Sequence, residues 1–179
     1  MIPVLITTTT ATSAGAISFT TGLDDTYHHY MFVITGIGPE TDGSSFSFNG
    51  SKDGGSNYNV NKTTQYTETY HAEDNASQTV QYHASYDEAE STGYQVLSRS
   101  HGSAAAECGA GRIHLFNPSS TVFCTNFISV FNWASSHGSI NAYTTYVGGY
   151  FNDTDNIDGM DFRMSAGDMD GTIQMYGIE

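Results

Sequence analysis

Apolar and polar residues alternate along much of this chain with a period of two, the pattern of strands that bury one face. The alternation is sharpest near the C-terminal end. There Met160, Phe162 and Met164 interleave with Asp161, Arg163 and Ser165, and Ile173 and Met175 with Gln174 and Tyr176. The intervening AGDMDG at 166–171 is rich in residues that tolerate tight turns. Residues 157–178 are therefore expected to form a β-hairpin whose core residues are Phe162, Met164, Ile173 and Met175.

Upstream, strands are expected at 5–10, 16–20, 29–37, 45–49, 64–70, 79–83, 94–99, 111–116, 122–133 and 139–151. Between them lie turn sequences such as GLDD at 22–25, GPETDG at 38–43 and KDGGSN at 52–57. The run Tyr30–Met31–Phe32–Val33–Ile34 is apolar on both faces, which predicts a central strand covered on both sides. In 122–133, Phe123, Phe127, Phe131 and Trp133 share one face, and Val122, Cys124, Ile128 and Val130 the other. One face serves the core; the second needs a cover from more chain or from a neighbouring subunit. The SAAA at 103–106 fits one helical turn, and no segment sustains a 3.6-residue period. Short strands at this spacing predict an all-β, antiparallel two-sheet β-sandwich, jelly-roll-like in character. No repeat or boundary divides the chain. A single domain spanning 1–179 is expected, with 1–15 as an N-terminal extension or anchoring segment.

Composition narrows the partners. The 179 residues carry 19 Asp plus Glu against 5 Lys plus Arg, a net charge of −14. So few cations offer no patch for a phosphate backbone, which excludes nucleic acid, and none for an anionic membrane. The apolar start Ile2–Pro3–Val4–Leu5–Ile6 lacks a basic flank and is too short for a signal peptide or a membrane helix. Synthesis in a cytoplasm and delivery by assembly or lysis is the expectation. Cys108 and Cys124 are too few for a disulfide framework at this length and are read as separate buried thiols rather than a bridge.

No nucleophile elbow, zinc-protease helix or phosphate loop is present. The histidines at 28, 29, 71, 83, 101, 114 and 137 have no metal-ligand spacing within a helix, and His114 reads as a half-buried strand residue. A calcium candidate is Asp153, Asp155 and Asp158, with Asp168 and Asp170 as helpers. The loop begins like an oxygen-rich cation loop, but Ile157 stands where a ligand belongs and no Glu closes it. Solvated turns that discourage edge pairing are the simpler reading. The middle third is more informative: Tyr66, Tyr70, Tyr82, Tyr86 and Tyr94 cluster there with His71 and His83. Tyrosine among Ser, Asn and Gly makes a stiff contact surface with adaptable hydrogen bonds. Tyr66, Tyr70, His71, Tyr82 and His83 are the candidate binding residues, against ordinary cross-strand Tyr pairing.

The ordered set FTTGLDDTYHHYMFVITGI, FNGSKDGGSNYNV, HLFNPSS and VGGYFNDTDNIDGMDFRMSAGDMDGTIQMYGI resembles small virion structural and tail-fibre-type proteins of marine and other tailed bacteriophages. The resemblance runs from about Ile17 to the end of the chain. It implies a non-enzymatic virion surface protein without cofactor: a tail fibre or tail-tip component, homotrimeric, meeting other virion proteins and a host surface glycan. A capsid decoration protein and a carbohydrate-binding module are the alternatives.

Overall fold

The computed structural model describes residues 2–135 and 140–179. His137 and the start of the strand expected at 139–151 lie outside the described residues. Twelve strands follow one another: β1 (Pro3–Ala14), β2 (Ile17–Phe19), β3 (His29–Pro39), β4 (Ser44–Ser51), β5 (Lys62–Ala72), β6 (Gln78–Tyr82), β7 (Gln95–His101), β8 (Gly109–Phe116), β9 (Asn126–Ser135), β10 (Asn141–Phe151), β11 (Gly159–Met164) and β12 (Met169–Ile178). Short 3₁₀ turns at Ala84–Tyr86 and Ala105–Glu107 are the helical pieces among the described residues.

The strands form an eight-stranded sheet, ordered β1-β12-β3-β8-β9-β10-β5-β6, and a four-stranded sheet, ordered β2-β11-β4-β7. All pairs are antiparallel. Only β5–β6, β8–β9 and β9–β10 join sequence neighbours within one sheet; every other connection passes between the sheets. That wrapping gives the sandwich its jelly-roll character and bears out the expected fold class.

The inner faces meet in an aromatic core centred on Phe162 of β11. Its ring centroid lies 5.4 Å from Phe32, 6.1 Å from Phe19, 6.2 Å from Phe46 and 6.4 Å from Phe48. Phe19, Phe46 and Phe48 share its sheet, and the two sheets interlock through edge-on and tilted contacts of Phe32 with Phe162 and Phe19, of Phe46 with Phe131 and of Phe48 with Phe127, the favourable geometries for aromatic pairs. Gly171 sits at φ +139° in the bulge of β12, and a Cβ there would come within 2.5 Å of Ile37 Cδ1, so glycine is required.

Several expectations need correction. The C-terminal runs are not a hairpin: β11 pairs with β2 and β4, whereas β12 pairs with β1 and β3 in the opposite sheet. Phe162, Met164, Ile173 and Met175 are nonetheless all buried. Period-two alternation specifies which face a residue lies on and says nothing of the partner strand. Residues 3–14 form one strand, paired along its length with β12. β3 buries Tyr30, Phe32 and Ile34, while Met31 and Val33 are half-exposed on the outer face. Phe123 is 72% exposed and outside β9, because Ser120 Oγ accepts the N–H groups of Val122 and Phe123 in a turn, at 3.2 and 2.9 Å. The cysteines are free; Cys108 is exposed and Cys124 half-buried.

Candidate functional site

The predicted tyrosine-histidine cluster falls where the large sheet overhangs the small one, on β5, β6 and the 3₁₀ turn after them. Strand alternation divides it between two faces. Tyr66 points inward and is fully buried, which removes it from any contact surface. Beside it Glu68 accepts two hydrogen bonds from Arg99, from Nε and a terminal nitrogen, both at 2.8 Å. Gln81 Nε2 donates to the same carboxylate at 3.0 Å and the Tyr66 hydroxyl at 3.3 Å. Burial, with the Glu68 charge added, pushes the Tyr66 hydroxyl's pKa far up, so it stays protonated. The Arg99 guanidinium lies 5.2 Å from the Tyr143 ring centroid; Tyr143 stacks on Trp133 at 5.0 Å and meets Tyr70 at a tilt at 5.2 Å. His83 packs 4.7 Å from Tyr86. Every acceptor of Glu68 is engaged, so this inner group is a structural plug at the open end of the sandwich.

The outer face is different. His71 and Tyr82 are exposed there, Tyr82 at 62%. His71 Nε2 lies 3.1 Å from Asn75 Oδ1. The Tyr82 hydroxyl donates to Asp87, which holds its pKa up. His71, Gln78, Val80, Ala142 and Thr144 line an open groove of about 580 Å³ across β6, β5 and β10.

This groove is one corner of a larger surface. Cross-strand pairing sets an unbroken outward row of Thr8, Gln174, Val33, Arg112, Val130, Tyr146, Thr67 and Tyr82 across all eight strands. A neighbouring row runs Leu5, Tyr176, Met31, His114 and Ile128, with Ile128 51% exposed. His29 Nε2 and His114 Nδ1 are 2.7 Å apart on this face, and burial lowers the pKa of both imidazoles. Of the 19 acidic residues, the eight strands of this sheet hold two, Glu68 turned inward and Asp170 at one corner. A strongly acidic protein thus keeps one broad face almost free of negative charge.

The aspartates of the calcium candidate do not converge. Lys52 Nζ sits between Asp153 and Asp155 at 2.5 and 2.9 Å, taking the place a cation would hold, and those contacts raise its pKa to about 12. Asp158 instead accepts the Gly54 N–H at 3.0 Å. Asp170 accepts the Ser13 N–H at the far end of the sandwich. Among the described residues no group of three or more His, Cys, Asp or Glu side chains is placed to hold a metal.

The sequence reading missed the polar cover on the outer side of the small sheet. Asp161 is buried and accepts from Ser18 Oγ at 2.5 Å, Arg163 Nε at 2.8 Å and the Tyr94 hydroxyl at 3.0 Å. Asn49, its cross-strand partner on β4, is fully buried on the same face. No signal in the alternation marks them, because loops rather than strands cover that face. Compared with known protein families, curated proteins and solved structures, the chain matches none.

Proposed function

We propose that this chain is a non-enzymatic structural protein of the bacteriophage virion surface, a tail-fibre or tail-tip subunit that assembles as a homotrimer. The observation that carries the reading is the nearly carboxylate-free outer face of the large sheet. Two copies of a chain with net charge −14 repel one another wherever their acidic loops meet. They meet without that cost across the outer face of β9 and β10, where Ile128 and Tyr146 are about half exposed and Val130 is partly buried. Eight strands about 4.8 Å apart make a face roughly 34 Å wide. With three rows about 7 Å apart it is on the order of 700 Å², close to the ~800 Å² per partner of a standard interface. The phage assignment itself rests on the sequence resemblance.

The edge strand β6, with exposed Tyr82 and His71, is the part proposed to meet a host surface glycan. If so, the purified chain binds selectively on a glycan array and Tyr82→Ala abolishes that binding. No binding by the intact chain leaves a capsid decoration role in place of the tail tip. Electron microscopy of labelled particles separates the two.

A further inference from the structure

Lys62 is the least expected side chain in the protein. It opens β5 in the large sheet, is fully buried, and reaches Asn49, also fully buried, on β4 of the small sheet. Its Nζ donates to Asn49 Oδ1 at 3.0 Å, to the Val60 carbonyl at 3.3 Å and to the Gly93 carbonyl. Among the described residues no carboxylate comes within ion-pair distance of it. An ammonium buried without a counter-charge is costly, and burial lowers its pKa to about 8, with the charge of Glu88 opposing the shift. The Lys62 amine therefore loses its proton more readily than a solvated lysine does.

The amide it touches is held in one orientation. Asn49 Nδ2 donates to the carbonyls of Tyr58, Thr92 and Gly93 at 2.8, 3.0 and 3.2 Å. Asn49 Oδ1 also accepts the Gly50 N–H at 2.8 Å, a donor aimed where negative charge would develop on attack at the amide carbon. That carbon lies one C=O bond of about 1.2 Å behind an oxygen 3.0 Å from Nζ, so it is no more than about 4.2 Å from the amine. Near-attack geometry needs about 3–3.5 Å, a side-chain adjustment of about 1 Å.

A proton acceptor is latched alongside. The segment 88–91 is tied to β5 by Thr64 N–H to the Glu88 carbonyl at 2.9 Å and by reciprocal backbone bonds between Lys62 and Ser91. Both Glu88 carboxylate oxygens lie 3.4 Å from where a Cβ on Gly93 would stand, and the carbonyl of that same residue accepts a hydrogen bond from Lys62 Nζ.

We propose that Lys62 and Asn49 join in an intramolecular isopeptide bond. The neutral Lys62 amine attacks Asn49 Cγ, forming a C–N bond, and the Cγ–Nδ2 bond breaks. With its side chain swung in to hydrogen-bond distance of Nζ, Glu88 takes the proton released there and passes it to the departing nitrogen, which leaves as ammonia. Glu88 ends in its starting state, and no oxidant or cofactor takes part. The product ties the two sheets together through a link from β4 to β5 and removes the buried charge. Like a disulfide, such a link limits the freedom of the unfolded chain.

Intact-mass measurement of the purified full-length chain, after incubation at pH 8, tests the proposal. The expected mass is that of the sequence less one ammonia, and proteolysis should release a branched peptide joining the segments around Asn49 and Lys62. A succinimide at Asn49–Gly50 loses the same mass but gives no branched peptide. Lys62→Arg should have the full sequence mass, and Glu88→Gln should cross-link more slowly while keeping the wild-type circular dichroism spectrum. An unshifted wild-type mass overturns the proposal, as does ammonia loss that persists in Lys62→Arg. Equal cross-linking in Glu88→Gln overturns the role of Glu88.

Discussion

Truncating Phe162 to alanine tests whether the two sheets share one aromatic core. The ring is fully buried and touches Phe32 and Phe19 from the large sheet's side and from β2, and Phe46 and Phe48 from β4. A buried Phe→Ala change costs about 3–5 kcal/mol through lost transfer energy and the cavity left behind. Four ring neighbours, each favourable by up to about 0.5–1.5 kcal/mol beyond area, place this site at the upper end. At about 2–4 °C per kcal/mol for a domain of this size, the melting temperature should fall by roughly 8–20 °C. Phe123→Ala is the control: the alternation puts Phe123 on the same face as Phe127, but it is 72% exposed, so its truncation should change stability by less than about 0.5 kcal/mol. Urea denaturation with an unchanged slope gives both values. A loss below about 1 kcal/mol at Phe162, or a larger loss at Phe123, would refute the packing described.

The plug at the sandwich end makes a second case. Arg99→Met strands the buried Glu68 carboxylate and should cost about 3–5 kcal/mol, whereas Glu68→Leu with Arg99→Met should return to within about 1 kcal/mol of wild type; equal losses in both would contradict the account. Burial holds the His101 imidazole down at about 4, with Nε2 lacking a hydrogen-bond partner. The unfolded chain, with a His pKa near 6.5, takes up its proton first. The stability this histidine confers is therefore present above about pH 6.5 and is lost as pH falls toward 4, by up to about 3 kcal/mol. A melting-temperature profile across that window as steep in His101→Gln as in wild type would show that His101 is not the group responsible. Deleting 171–179 removes all but the first two residues of β12, leaving β1 without its only partner and β3 paired with β8 alone, and should abolish soluble expression. A soluble truncation with unchanged melting would sink that reading.

Much of the sandwich was legible because burial imposes period two on strands. Phe46 and Phe48, Phe127 and Phe131, and Ile173 and Met175 alternate visibly, and each is buried. Pairing was not legible: the two C-terminal runs look like a hairpin because strands facing each other across a core share the pattern of strands side by side. The uncovered side of β9 was foreshadowed by Ile128 and Val130, which are apolar where one face already suffices. Its extent was not, because the row linking Tyr146 to Tyr82, Arg112 and Gln174 exists only once four distant segments are in register. The candidate tyrosines were found as a sequence cluster, yet alternation sends Tyr66 inward and Tyr82 outward, so they cannot act as one surface. Lys62 gave no sign of burial, since a strand-opening lysine is ordinarily solvated.

Sedimentation velocity on the purified chain at micromolar concentration, with and without Tyr146→Asp, tests the proposed assembly most directly. Tyr146 stands near the middle of the outward row and contributes nothing to the core, so the substitution adds charge to the face without opening the sandwich. The wild-type chain should sediment as a trimer, and the variant as a monomer with unchanged circular dichroism. A wild-type chain that sediments as a monomer, or a variant that assembles as the wild type does, would contradict the proposed assembly.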